Sequence, residues 1–136
     1  MKDVLILDNK NVIAPSIDAG KFDFCVYDDE YEALNAIATR QPEIIVLHYT
    51  MQRSHMAAFI SLLFKATERS KIVVIAKKLT DEEVLDCLMA GAKGYLQIDD
   101  VDKFINKVIQ AIRADEAWIT RRMVAKLLDR LRNYSA

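Results

Sequence analysis

The sequence is poor in the features that usually announce a function. Its 136 residues include only three Gly and two Pro, which leaves no glycine-rich phosphate loop and no low-complexity tract; a nucleotide-binding Rossmann unit is not expected. The two cysteines, Cys25 and Cys87, are far apart and show no CxxC or Cys/His spacing. That excludes a disulfide framework and a zinc pattern, and it suggests reduced, buried thiols in a cytoplasmic protein. Neither sign of charge dominates, since 19 Lys and Arg stand against 20 Asp and Glu. Nothing global therefore draws the chain to nucleic acid or to an anionic membrane. No apolar run approaches the roughly 20 residues that cross a bilayer. The opening "MKDVLILDNK" turns acidic too soon for a signal peptide. What is present is a 52% hydrophobic, 29% charged chain of about one domain, long enough to bury a core.

Short strand-like runs alternate with helical ones. "DVLIL" (3–7), "FDFCVY" (22–27), "EIIVL" (43–47), "KIVVIA" (71–76) and "KGYLQI" (93–98) are rich in β-branched and aromatic residues. Three are almost continuously apolar, as strands covered on both faces should be. Between and after them lie helical stripes: Tyr31, Leu34, Ile37 and Ala38; Met56, Phe59, Ile60 and Leu63; Val84, Leu85, Leu88 and Met89; Phe104, Ile105, Val108, Ile109 and Ile112. Thr80 with Glu83 has the spacing of a capping box, and Gly91 reads as a C-cap. One segment does not fit. "NKNVIAPSIDAGK" after the first strand holds Pro15 and Gly20 and little helical period, so the first helix should be short or absent. A further stripe, Val124, Leu127, Leu128 and Leu131 behind a capping Thr120, adds a helix beyond the sheet.

Repeated βα units predict a parallel sheet with helices on both faces, and in such sheets chemistry sits outside the carboxyl ends of the strands. Those ends offer Asp8 and Asn9, His48 and Tyr49, Ala76 and Lys77, and Ile98.

The order of these pieces resembles the receiver domain of bacterial response regulators over residues 2 to about 116. The most specific stretch is "AGAKGYLQIDD" (90–100), and "ADEAWITRRMVAKLLDRL" resembles the segment that follows the receiver in NarL/LuxR-type regulators. The resemblance implies a flavodoxin-like, doubly wound, five-stranded parallel sheet of order 2-1-3-4-5, here with a shortened first helix and an extra C-terminal helix. It divides the chain into a receiver-like domain (1–116) and a linker or dimerisation helix (117–136). A receiver places an acidic pair after the first strand, the phosphoacceptor aspartate after the third, a hydroxyl after the fourth and Lys after the fifth. Three carboxylates there hold Mg²⁺, while Lys and the hydroxyl steady the phosphoryl group. At the matching positions this chain carries Asp8 but Asn9, then His48, Ala76 and Ile98, and "MQR" (51–53) replaces the expected "MPG". Only Tyr95 matches the family's aromatic switch. The substitutions are mutually consistent: with two of the three carboxylates gone, a Lys would be an uncompensated buried cation where Ile packs.

These residues lead us to expect a receiver-like module that is not phosphorylated in the usual way and is not an enzyme. No cofactor and no metal site are expected. His48 reads as a polar strand-end residue hydrogen-bonded to its neighbours, with a phosphoacceptor, a metal ligand beside His55 and Asp8, or a pH sensor as the sharper alternatives. Asp8 with Asn9 as a weak cation site is weighed against a leftover acid. Ser54, Cys25 and Cys87 show no nucleophile–base arrangement. Tyr95 is a candidate contact residue. The C-terminal stretch carries Arg113, Arg121, Arg122, Lys126, Arg130 and Arg132 against Asp115, Glu116 and Asp129, which reads as a solvated face rather than a DNA contact. Its apolar stripe must be buried on its own domain or on a second copy, so a homodimer is expected. An attached or partner helix-turn-helix domain is the implied output. Within these residues there is none, so the chain is expected to be a stand-alone protein or the N-terminal part of a longer one. The alternative function is a flavodoxin-like small-ligand protein or enzyme using Asp8 and His48 as an acid/base pair.

Overall fold

The computed structural model describes residues 3–52 and 55–135; Arg53 and Ser54, two of the positions weighed above, lie outside the described residues. Five strands, β1 (Val4–Leu7), β2 (Phe24–Tyr27), β3 (Ile44–His48), β4 (Lys71–Ala76) and β5 (Ala92–Gln97), form one parallel sheet of order β2-β1-β3-β4-β5. β1, β3 and nearly all of β4 are buried, which is why they read as unbroken apolar runs. β5, at the edge, alternates buried and exposed residues.

Three helices, α1 (Glu30–Arg40), α2 (Met56–Ala66) and α3 (Asp81–Ala90), follow β2, β3 and β4. Their buried residues, among them Ile37, Phe59, Ile60, Leu63 and Cys87, pack on Leu5, Ile45, Leu47 and Val74 of one sheet face. The other face, lined by Val4, Ile6, Val46 and Val73, is covered by Ile105, Val108, Ile109 and Ile112 of α4 (Val101–Arg113). The expected loss of the first helix is what the structure shows. A three-residue 3₁₀ turn at Ala14–Ser16 stands in its place. Ile13, Ile17 and Phe22 of that irregular segment fill the core beside α4, and Asn106 of α4 braces it by accepting from Asp18 N–H and donating to the Ser16 carbonyl.

The local signals hold where chemistry determines them. Thr80 and Glu83 make both halves of the capping box on α3, and Gly91 closes that helix at φ 130°, where a Cβ would sit 2.8 Å from the Phe64 ring. The stripe on α2 is buried in full. The stripe on α1 is not: Tyr31 is 79% exposed and only Ala33 and Ile37 are buried. α1 lies toward the β2 edge of the sheet, and a narrow apolar strip suffices there.

The C-terminal helix α5 (Arg121–Ser135) packs on α3. Met123 is buried with Val84 and Leu85, and Leu127 lies against them. Of the expected stripe, only Leu127 turns to its own domain; Val124, Leu128 and Leu131 face outward, 40%, 44% and 43% exposed. The reason is charge. Arg122 and Lys126 pair with Asp81, and Arg130 pairs with Glu82 and Asp86, which turns the basic side of α5 onto the acidic first turns of α3. Among the described residues no helix is long and apolar enough to cross a membrane.

Candidate functional site

The strand ends converge as the parallel topology requires. His48 is in register with Ile75, and Ala76 with Gln97, so Asp8, His48, Ala76 and Ile98 share the carboxyl edge of the sheet. Two of them meet. The Nδ1 of His48 lies 3.0 Å from Oδ1 of Asp8, with the residues only 2% and 3% exposed. A carboxylate only accepts, so Nδ1 carries the proton and donates. The Thr50 hydroxyl stands 3.3 Å from the same nitrogen. Nε2 is buried without a hydrogen-bond partner among the described residues.

Asp8 is occupied on every side. Its Oδ1 also accepts from the Lys10 N–H at 2.9 Å, and its Oδ2 accepts from the N–H groups of Val12 and Ile13 at 2.9 and 3.2 Å. Four donors match the roughly four acceptor sites of a carboxylate. Burial pushes this carboxyl up, but the backbone N–H groups of Lys10 and Val12 and the His48 imidazole outweigh it and hold the acid below its ordinary value of 3.8. The loop that delivers those N–H groups replaces the missing helix, and it passes through Asn11 in a left-handed conformation, φ 53°.

The other positions do not join this cluster. Asn9 is exposed beyond the strand. Ala76 is buried at the end of β4, and Ile98 starts a 3₁₀ turn, Ile98–Asp100, and packs on the core beside α4. His55 is exposed before α2. Among the described residues no three His, Cys, Asp or Glu side chains group in a way that would hold a metal ion. Cys87 is buried and its thiol is pushed up to about 12, by burial first and then by Asp86 and Glu83, so it is a poor nucleophile.

Tyr95 sits at the opposite side of this edge. Its hydroxyl donates to the Lys77 carbonyl at 2.7 Å and accepts from the Leu79 N–H at 3.2 Å. Its backbone N–H bonds the Trp118 carbonyl, and the Trp118 N–H bonds the Lys93 carbonyl, so residues around Trp118 line the β5 edge as a minimal sixth strand. A groove of about 640 Å³ lies here, walled by Leu79, Val84, Tyr95, Trp118, Ile119 and Met123. Trp118, Met123 and Asn106 had no role in the sequence reading. Met123 was findable as the residue one turn before Leu127; Trp118 stands in an aperiodic connector and gave no pattern.

No family model and no curated protein sequence matches the chain. Solved structures do. The isolated REC domain of RcsB from Salmonella enterica serovar Typhimurium, in the apo form, superposes with a TM-score of 0.77 at 14% identity over 95% of this chain and 99% of that one. A two-component response regulator of the LuxR family from Aurantimonas sp. SI85-9A1 gives 0.72 at 15% identity over 96% and 97%. A LuxR family DNA-binding response regulator from Silicibacter pomeroyi gives 0.64 at 16% identity over 90% and 99%. The chain therefore has the receiver fold, a flavodoxin-like α/β sheet of order 2-1-3-4-5.

Proposed function

We propose that this chain is a signalling module of the response-regulator type whose switching does not use an aspartyl phosphate. The observation that carries the reading is the Asp8–His48 pair. A receiver's acid must offer lone pairs to Mg²⁺, and all those of Asp8 are taken by the loop behind it and by His48. The residue at the acceptor position is an imidazole, buried and bonded to Asp8 through Nδ1. Ile98 and Ala76 stand where a cation and a hydroxyl would be needed. The same burial speaks against the small-ligand or enzyme alternative, because a substrate has no open surface at Asp8 or His48. We read the chain as non-enzymatic.

Its output is then protein contact. The receiver-like body (1–116) and the C-terminal helix (117–136) would regulate transcription through an attached or partner helix-turn-helix domain, in keeping with the DNA-binding regulators that share the fold. The basic residues of α5 are largely engaged by α3, so DNA contact by this chain is not part of the reading. The outward stripe of α5 would make a homotypic contact. The test of the central claim is intact-mass spectrometry after incubation with Mg²⁺ and acetyl phosphate. No phosphoryl adduct is expected; a stoichiometric adduct, at His48 or elsewhere in the strand-end cluster, would overturn it.

A further inference from the structure

Two apolar surfaces of this chain have complementary charge at their margins. The first is a groove of about 360 Å³ between α1 and α2, floored by Leu34, Ala58 and Phe59 and walled by Tyr31, Leu62 and His55. Tyr31 is 79% and Leu62 51% exposed. The α1 end of this groove is acidic, with Asp28, Asp29, Glu30 and Glu32 in five residues and Glu30 in the wall itself. The second is the outward side of α5, where Val124 and Leu128 are exposed. Exposed Arg121 stands near one end, and Arg132, paired with Asp129 at 3.5 Å, near the other.

We infer that the outward stripe of α5 docks in the α1–α2 groove of a second copy of this chain. The inference rests on the homotypic contact proposed above and names the surface that receives it. Three arguments converge. An amphipathic helix laid into a groove between two helices is a recurrent recognition mode, read from apolar anchors at i and i+4, the spacing of Val124 and Leu128. Charge discriminates between the mates on offer. Two α5 stripes laid parallel set Arg121 against Arg121, and laid antiparallel they set it against Arg132, whose charge Asp129 already pairs; the groove instead presents carboxylates to Arg121. Position excludes the contact within one copy, because α5 is clamped on α3 and α2 and α3 lie between it and α1. Each copy thus carries one stripe and one groove. Such a contact is heterologous, and it closes into a dimer only when two copies engage reciprocally.

The 136-residue chain tests this by sedimentation velocity with two surface variants, Leu62→Arg in the groove and Leu128→Arg on the stripe. The wild type is expected to self-associate, and each variant alone to do so at least about tenfold more weakly. An equimolar mixture of the two is expected to recover a one-to-one pair, because it restores one intact groove and one intact stripe; that recovery also shows that both variants are folded. If Leu62→Arg associates like the wild type while Leu128→Arg does not, α5 pairs with α5: the groove is wrong and the homotypic reading survives. A wild type that stays monomeric, or one that neither variant weakens, overturns both.

Discussion

The strand-end pair and the C-terminal dock are built by opposite means. Asp8 and His48 are buried, and the carboxylate is held by three backbone N–H groups from its own loop plus the imidazole. α5 is held by one buried methionine, a half-buried leucine and ion pairs to the part-buried Asp81 and to Glu82 and Asp86, which are largely open to water. The first arrangement cannot open without breaching the core, since Ile13, the last donor to Asp8, is itself a core residue. The second can detach while the sheet and its four other helices remain. Regions that move in signalling are drawn from the weakly held end of the stability range. In this chain that end is α5, not the position where a receiver is phosphorylated.

Breaking the stronger side of this contrast should have the largest effect. Asp8→Ala strands the Ile13 N–H and the His48 imidazole in a buried place and unpairs the part-buried N–H groups of Lys10 and Val12, and a loss of about 3 kcal/mol is expected from urea unfolding, the low end for breaking a buried pair. A loss within surface-mutation scatter would mean that the loop finds other partners. The pH dependence has a definite sign. The folded carboxyl lies below its ordinary 3.8, so its contribution is fully present above the unfolded value and fades as pH falls through the folded one. Asp8→Asn should therefore lose stability near neutral pH and show a flatter acid limb than the wild type as pH falls through and below the ordinary carboxylate range.

How much of this was legible in the sequence follows from which forces are local. The Thr80–Glu83 box, the Gly91 cap and the missing first helix were all readable, because each depends on a few adjacent residues. Asp8 and His48 could be placed at neighbouring strand ends from the βα alternation. Their hydrogen bond and the saturation of the carboxylate could not, because both depend on the path of residues 9–13 through the left-handed Asn11. The facing of α5 was left open for a different reason. Its apolar period marks Val124, Leu127, Leu128 and Leu131 without saying whether its own domain or a second copy covers them, and Arg122, Lys126 and Arg130 meet carboxylates on α3 that a single-helix pattern cannot see. Tyr31 shows the same limit: periodicity gives a stripe but not how wide a strip the sheet edge will cover.

The weaker side has a covalent-geometry weak point at Gly94. A Cβ there would lie 3.0 Å from the Cβ of Trp118 and 3.1 Å from its carbonyl oxygen. Gly94→Val should push the connector off the β5 edge, at a cost of about 1–3 kcal/mol for overpacking, and speed amide exchange at Tyr95, whose N–H bonds that carbonyl. Unchanged exchange at Tyr95 would show that the edge tolerates the displacement. Met123→Ala tests the dock itself. Removing its one fully buried side chain should cost about 2 kcal/mol and make the connector at 114–120 the first site of limited proteolysis, with cleavage inside the sheet unchanged.

The smallest effect should come from the ion pairs, and it separates charge as an anchor from charge as a guide. Arg130 reaches Glu82 at 2.5 Å and Asp86 at 2.9 Å, but those carboxylates are mostly exposed, and exposed pairs contribute little, from nothing to about 1 kcal/mol. Arg130→Ala should barely move the unfolding midpoint. It should nonetheless raise proteolysis at 114–120 in low salt, and added salt should bring the wild type toward the variant, because screening acts on both partners' fields over about 10 Å at 0.1 M. If these charges choose which side of α5 faces α3, reversing three of them together (Arg122→Glu, Lys126→Glu, Arg130→Glu) should rotate or release the helix although each alone is nearly silent. Spin or fluorescence labels at Leu128 would then report a changed environment. An unchanged label environment in the triple variant would mean that Met123 and Leu127 alone orient the helix, and that its charges decorate a dock which packing had already set.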